Sequence, residues 1–78
     1  MSHTPHELHE EFPDHEDRIK VLKATNAHFA RLMDQYHKVN REVHGAETNV
    51  APVSEATETD MRRERARLKD EIYQMLVE

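Results

Sequence analysis

Between Ile19 and Val43 large apolar residues recur at helical spacing. Ile19, Leu22, Phe29, Leu32, Met33, Tyr36, Val39 and Val43 fall on one side of a helix, with Lys, Arg, Asp and His on the other. Such a face needs a partner, and the one other stretch able to cover it is the run Met61, Leu68, Ile72, Met75 and Leu76. The pattern therefore predicts an all-α protein built on an antiparallel, coiled-coil-like helical hairpin. With Ile19 at heptad position a, the d positions are Leu22, Phe29, Tyr36 and Val43, Met33 holds an a position, and Leu32 and Val39 at g widen the stripe beyond a two-stranded seam. One shorter helix covers only part of so wide a stripe. The same residues are thus the expected self-association interface, and two hairpins are expected to form a four-helix bundle.

The polar positions mark where the elements stop. Thr4-Pro5-His6-Glu7 reads as a helix start, with Thr4 as N-cap, Pro5 at the first helical position and Glu7 closing a capping box. A short helix to about Phe12 follows, with Leu8 and Phe12 four apart on one face, able to dock on a neighbour. Pro13 ends this leader of residues 1–13, and Asp14 is placed to cap the long helix, expected over about 14–44. Thr25-Asn26 interrupts the stripe. Asn26 is either a buried polar a residue, as Asn40 could also be, or an N-cap where the helix breaks and restarts at Ala27. Gly45 follows His44 where a C-terminal cap belongs, residues 45–54 form the loop, and Ser54 or Thr57 caps a second helix to about 77. Within that helix Arg65 takes a place in the apolar series, its stem packed and its head in water.

Composition agrees with this picture: 35% charged residues, 36% hydrophobic, one Gly and three Pro lie near the helical corner of composition space. At 78 residues the chain is one small domain with a limited core, and without Cys it has neither disulfides nor thiolate chemistry. No apolar run is long enough to cross a membrane and no secretory pattern opens the sequence, so a cytoplasmic location is expected. The formal net charge of −5 opposes nonspecific nucleic-acid binding by the whole molecule. That charge is uneven, with Glu7, Glu10, Glu11, Asp14, Glu16 and Asp17 ahead of the first Arg, and Arg62, Arg63, Arg65, Arg67 and Lys69 clustered later.

The segments Glu11-Phe12-Pro13, Arg18-Ile19-Lys20-Val21-Leu22-Lys23, His28-Phe29-Ala30-Arg31-Leu32, Tyr36-His37, Glu42-Val43-His44 and the closing run from Leu68 to Leu76 resemble the small bacterial YdcH-like family. Its members are short helical proteins of unestablished function. The resemblance implies a helical hairpin and a bacterial cytosolic origin, and it supplies no catalytic residue to carry over. Members commonly carry a large aliphatic side chain where this chain has Ala66, a departure that thins the seam near mid-helix.

Candidate chemistry is sparse. His3, His6, His9 and His15 lie beside Glu7, Glu10 and Glu11, and on a helix from residue 5 the pairs His6 with Glu10, or His6 with His9, could face a metal. No third ligand stands at a characteristic spacing, so no metal or other cofactor is expected. His37 and His44 flank the seam as interface or surface residues. The cluster from Arg62 to Lys69 is a candidate phosphate contact, but its side chains point around more than half the helix. Glu64 can pair with Arg67, Arg67 can also pair with Asp70 and Glu71, and no aromatic sits among them to stack a base. The acidic leader of a second copy is as natural an occupant of that cluster. Only Ser2 and Ser54 offer serine hydroxyls, and no glycine-rich phosphate loop or nucleophile elbow occurs, so no enzyme is expected. Phe29, Met33, Tyr36, Ile72 and Met75 are expected to be core, with the Tyr36 and Tyr73 hydroxyls at its rim. The functional expectation is a small non-enzymatic bacterial interaction or regulatory protein, self-associating through its helices and serving an unidentified protein partner. Nucleic-acid binding by the Arg cluster and metal binding by the leader are the alternatives.

Overall fold

Asn26 decides the course of the N-terminal half. In the computed structural model, which describes residues 5–48 and 53–78, its backbone is extended (φ −130°, ψ 107°) and its Oδ1 accepts a hydrogen bond from the Phe29 amide at 3.0 Å. The helix therefore breaks there and restarts, because a short amide side chain satisfies a free N–H better at a cap than inside a helix. The elements in order are α1 (Leu8–Glu11), a 3-10 turn (Pro13–His15), α2 (Glu16–Thr25), α3 (Ala27–Glu47) and α4 (Glu55–Leu76), with no strand among the described residues. Thr25 closes α2 by donating its hydroxyl to the Val21 carbonyl at 2.7 Å.

The hairpin of α3 and α4 is antiparallel. Arg62 reaches Glu47 and Arg65 reaches Asn40, while His28 and Leu32 lie beside Met75 and Glu78 at the other end, so residue numbers rise on one helix as they fall on the other. Phe29, Leu32, Met33, Tyr36 and Val43 are buried on α3, and Leu68, Ile72 and Leu76 on α4, as the apolar spacing expects. Val39, Met61 and Met75 are half-buried at the edges.

Several boundaries differ from the sequence reading. The first helix starts at Leu8 rather than Pro5: His6 has φ 63°, in the left-handed region, where no right-handed turn can include it. Glu7 occupies the N-cap without a side-chain cap bond and sends its carboxylate to His37 instead of closing a capping box. Thr4 lies outside the described residues, as does the loop centre at 49–52. Asp14 sits in the 3-10 turn, leaving His15 at the N-cap of α2 with no side-chain bond. Gly45 does not end α3. The helix continues through it to Glu47, which buries Ala46 and brings Glu47 to Arg62, and Thr48 takes the C-cap with its hydroxyl on the His44 carbonyl. At α4 the cap is Ser54 rather than Thr57, its Oγ accepting from the Thr57 amide at 3.1 Å. Ser54→Ala is expected to lower unfolding free energy by about 1 kcal/mol in a urea titration and to leave the N-terminal segment in place.

The largest departure concerns the leader, residues 5–13. The wide stripe of the long helix was expected to be only partly covered by the second helix of the hairpin. Leu8 (1% exposed), Phe12, Ile19 and Leu22 instead join one core with Phe29, Tyr36 and Ile72. The leader and α2 thus cover part of the α3 stripe within the same chain. The spacing of Leu8 and Phe12 showed a face able to dock, and Ile19 and Leu22 belonged to the apolar stripe, but four residues of helix and a three-residue turn carry too little periodic signal to say where the leader packs.

Candidate functional site

The site best defined by the structure is the groove between α3 and α4 that holds the leader. Two contacts fix its start through backbone atoms: the Tyr36 hydroxyl donates to the His6 carbonyl at 2.6 Å, and Asn40 Nδ2 donates to the Pro5 carbonyl at 2.8 Å. Both side chains are fully buried, so these donors would be costly to leave unpaired. The left-handed backbone of His6 costs about 1–2 kcal/mol for a residue with a Cβ, and it turns the carbonyls of both leader residues toward α3. Arg65 completes the arrangement. Its head does not go to water as expected; Nη1 donates to Asn40 Oδ1 at 3.1 Å, orienting the amide whose other end holds the leader.

Side chains fix the rest. Leu8 is the apolar anchor toward α2 and α3, facing Ile19, Met33 and His37. Phe12 is the anchor toward α4, its ring stacked on Tyr73 at 5.6 Å between centroids with Lys69 Nζ 5.8 Å above it. Glu11 accepts from Lys69 at 2.7 Å, and Glu7 lies 2.7 Å from His37 Nδ1. The leader follows α4 in direction, its early residues near Arg62 and Arg65 and its end at Lys69 and Tyr73. Tyr36 is therefore buried rather than at the rim, whereas Tyr73 is exposed.

Beside the leader a polar recess of about 260 Å³ is lined by His6, Glu11, Tyr36, Arg62, Arg65, Ala66 and Lys69. The small Ala66 side chain lies in its wall, where a large aliphatic residue would fill space. Lys69, as hydrogen-bond donor and then as charge, holds the Glu11 carboxyl below its usual 4.5, with His6 adding to the effect and burial opposing it. Burial pushes the Tyr36 hydroxyl up to about 12, and the neighbouring Glu11 and Glu7 charges act in the same direction against Arg65. Two pH windows follow. A carboxyl with a lowered folded value stabilises above 4.5 and loses that contribution as pH falls through its folded value. A phenol with a raised folded value stabilises below 10 and loses that contribution as pH rises toward 12. Leader-specific signals are expected to weaken below pH 4.5 and above pH 10, measured as Phe12 ring chemical shifts; unchanged shifts across the acid window would show that the Glu11 pair does not hold the leader.

The other candidates resolve differently. Helical pairing of His6 with Glu10 or His9 does not form, because His6 lies outside α1 and its Nδ1 is 3.5 Å from Glu11. Among the described residues no group of three or more His, Asp or Glu stands close enough to share a metal ion. Three of the five residues of the basic cluster are engaged by carboxylates, Arg62 by Glu47 and Glu58, Arg67 by Glu64 and Glu71, and Lys69 by Glu11, and Arg65 bonds to Asn40. The leader that docks there is the chain's own. No described helix is long and apolar enough to cross a membrane.

The model of a family described as a protein of unknown function (DUF465), the YdcH-like proteins, matches residues 29–76, well over half of the chain. The chain belongs to this family. The match covers α3 from Phe29, the connecting residues and α4, and the leader and α2 lie outside the matched region of this DUF465 protein. No curated protein and no solved structure matches the chain.

Sequence reasoning did not assign the leader residues Pro5, Glu7, Leu8 and Phe12, or Asn40 and Tyr73, to a site. Leu8 and Phe12 carried a signal in their four-residue spacing. The carbonyls of Pro5 and His6 carried none, since any residue supplies one.

Proposed function

We propose that this DUF465 protein is a small non-enzymatic interaction protein, acting in the cytoplasm, whose α3–α4 hairpin is a helix-binding groove closed by its own leader. The observation that supports this most is the manner of closure. Two fully buried donors, Tyr36 and Asn40, hold backbone carbonyls, which any peptide offers, while Leu8 and Phe12 fill apolar positions four residues apart. Leu8 and Phe12 are the i, i+4 anchors of a helix-in-groove complex, and the buried donors hold the non-helical residues that lead into that helix. The partner is a short amphipathic segment with Leu and Phe at i and i+4 and carboxylates beside them. Self-association belongs to the same reading, since every copy carries such a segment.

The test uses the full-length Leu8→Asp/Phe12→Asp variant, whose leader cannot dock, and a synthetic peptide of residues 1–15. The peptide is expected to bind the variant with a dissociation constant below about 1 mM, to raise its melting temperature, and to bind the unaltered protein far more weakly. A folded variant that ignores the peptide would refute the groove.

A further inference from the structure

The break at Asn26 is the only non-helical residue between Glu16 and Glu47. Everything the N-terminal arm buries, Leu8, Phe12, Ile19 and Leu22, lies on one side of it, and the surface that receives the arm, α3 and α4, lies on the other. If Asn26 becomes helical, α2 and α3 fuse into one continuous helix over 16–47, and the arm is carried away from its own hairpin. Its apolar residues and the groove are then both uncovered, and the segment that fits the groove, residue for residue, is the arm of another copy. The charges agree: the leader is acidic at Glu11, and the groove meets it with Lys69.

We propose that two copies of this chain exchange their N-terminal arms by straightening at Asn26, giving a dimer in which each hairpin groove holds the leader of the other copy. This rests on the helix-binding reading of the groove and names its partner as a second copy. Straightening forfeits the Asn26 cap on Phe29 and gains the helical ladder across the junction, while the arm contacts are made again in trans. The balance between forms is therefore set by concentration and by how well residue 26 tolerates a helix interior.

Two variants of the full chain push that balance in opposite directions. Asn26→Ala removes the cap and is the best helix former. Asn26→Gly retains much of the capping ability and resists helix continuation. By sedimentation, Asn26→Ala is expected to dimerise at least about tenfold more tightly than the unaltered protein, and Asn26→Gly more weakly than either. A second measurement keeps the test valid even if Asn26→Ala folds poorly. In Glu11→Lys the leader and its own groove are both basic at the contact, and in Lys69→Glu both are acidic, so exchange between these two proteins matches every pair. Their mixture is expected to form a species of twice the chain mass that neither protein forms alone, and the Glu11→Lys/Lys69→Glu double variant, matched in cis and in trans alike, is expected to dimerise as the unaltered protein does.

A mixture that remains monomeric overturns arm exchange. If the 1–15 peptide nevertheless binds the leader-disrupted variant, the helix-binding groove stands and only its partner is wrong. An Asn26→Ala dimer combined with indifference of the charge variants to mixing means association by another face, and overturns the proposal as well.

Discussion

Phe29→Ala is expected to leave most of the chain unfolded at 25 °C. Phe29 is fully buried at the start of α3, where its own amide is the donor that Asn26 caps, and its ring belongs to the same core as Leu22, Tyr36, Ile72 and Leu76. Truncating a buried Phe costs about 3–5 kcal/mol through lost transfer energy and the cavity left behind. Small domains have little more than about 5 kcal/mol in total. Phe29→Asp adds a buried charge to that loss and is expected to unfold the chain outright. Circular dichroism with urea titration measures both, and a native-like midpoint for Phe29→Ala would place Phe29 outside the core.

Asn40→Ala is the second large effect, and its interest lies in where the loss appears. The buried amide joins three segments, donating to Pro5 and accepting from Arg65 while it sits on α3. Removing it leaves a buried carbonyl and a guanidinium donor without that partner, at about 1–3 kcal/mol for each group left unpaired. We expect a loss of about 2–3 kcal/mol, accompanied by loss of hydrogen-exchange protection at the amides of Glu11 and Phe12, which bond to Glu7 and Leu8 within the leader. Tyr36→Phe removes one donor only and is expected to cost about 1–2 kcal/mol, with the same change in the leader. A fall in stability with leader protection intact would mean that Asn40 supports the hairpin alone.

The hairpin was legible in the sequence because long amphipathic helices repeat their signal over several turns. The stripe from Phe29 to Val43 and its complement from Leu68 to Leu76 were read correctly, as was the choice offered at Asn26, where Thr and Asn together favour a cap. Gly45 misled for a physical reason: a glycine costs a helix about 1 kcal/mol, less than burying Ala46 and pairing Glu47 with Arg62 returns. The leader was legible only as a short helix with a docking face at Leu8 and Phe12, and not in where it docks. Its docking depends on backbone carbonyls and on a left-handed His6, neither of which residue type announces, and on buried donors 30 and 35 residues away in Tyr36 and Asn40. A polar residue in an apolar stripe is the trace that such docking leaves, and Asn40 was that trace.

The central claim is that the leader of this DUF465 protein lies in the groove of the hairpin. The most direct test is proton NMR at concentrations where the mass is that of one chain, reading nuclear Overhauser contacts between the Phe12 and Tyr73 rings, whose centroids stand 5.6 Å apart at 21° between planes. The expected result is clear ring-to-ring contact, with Leu8 methyl contacts to Met33. A folded hairpin whose leader shows unstructured shifts and no contact to Tyr73 would contradict the account.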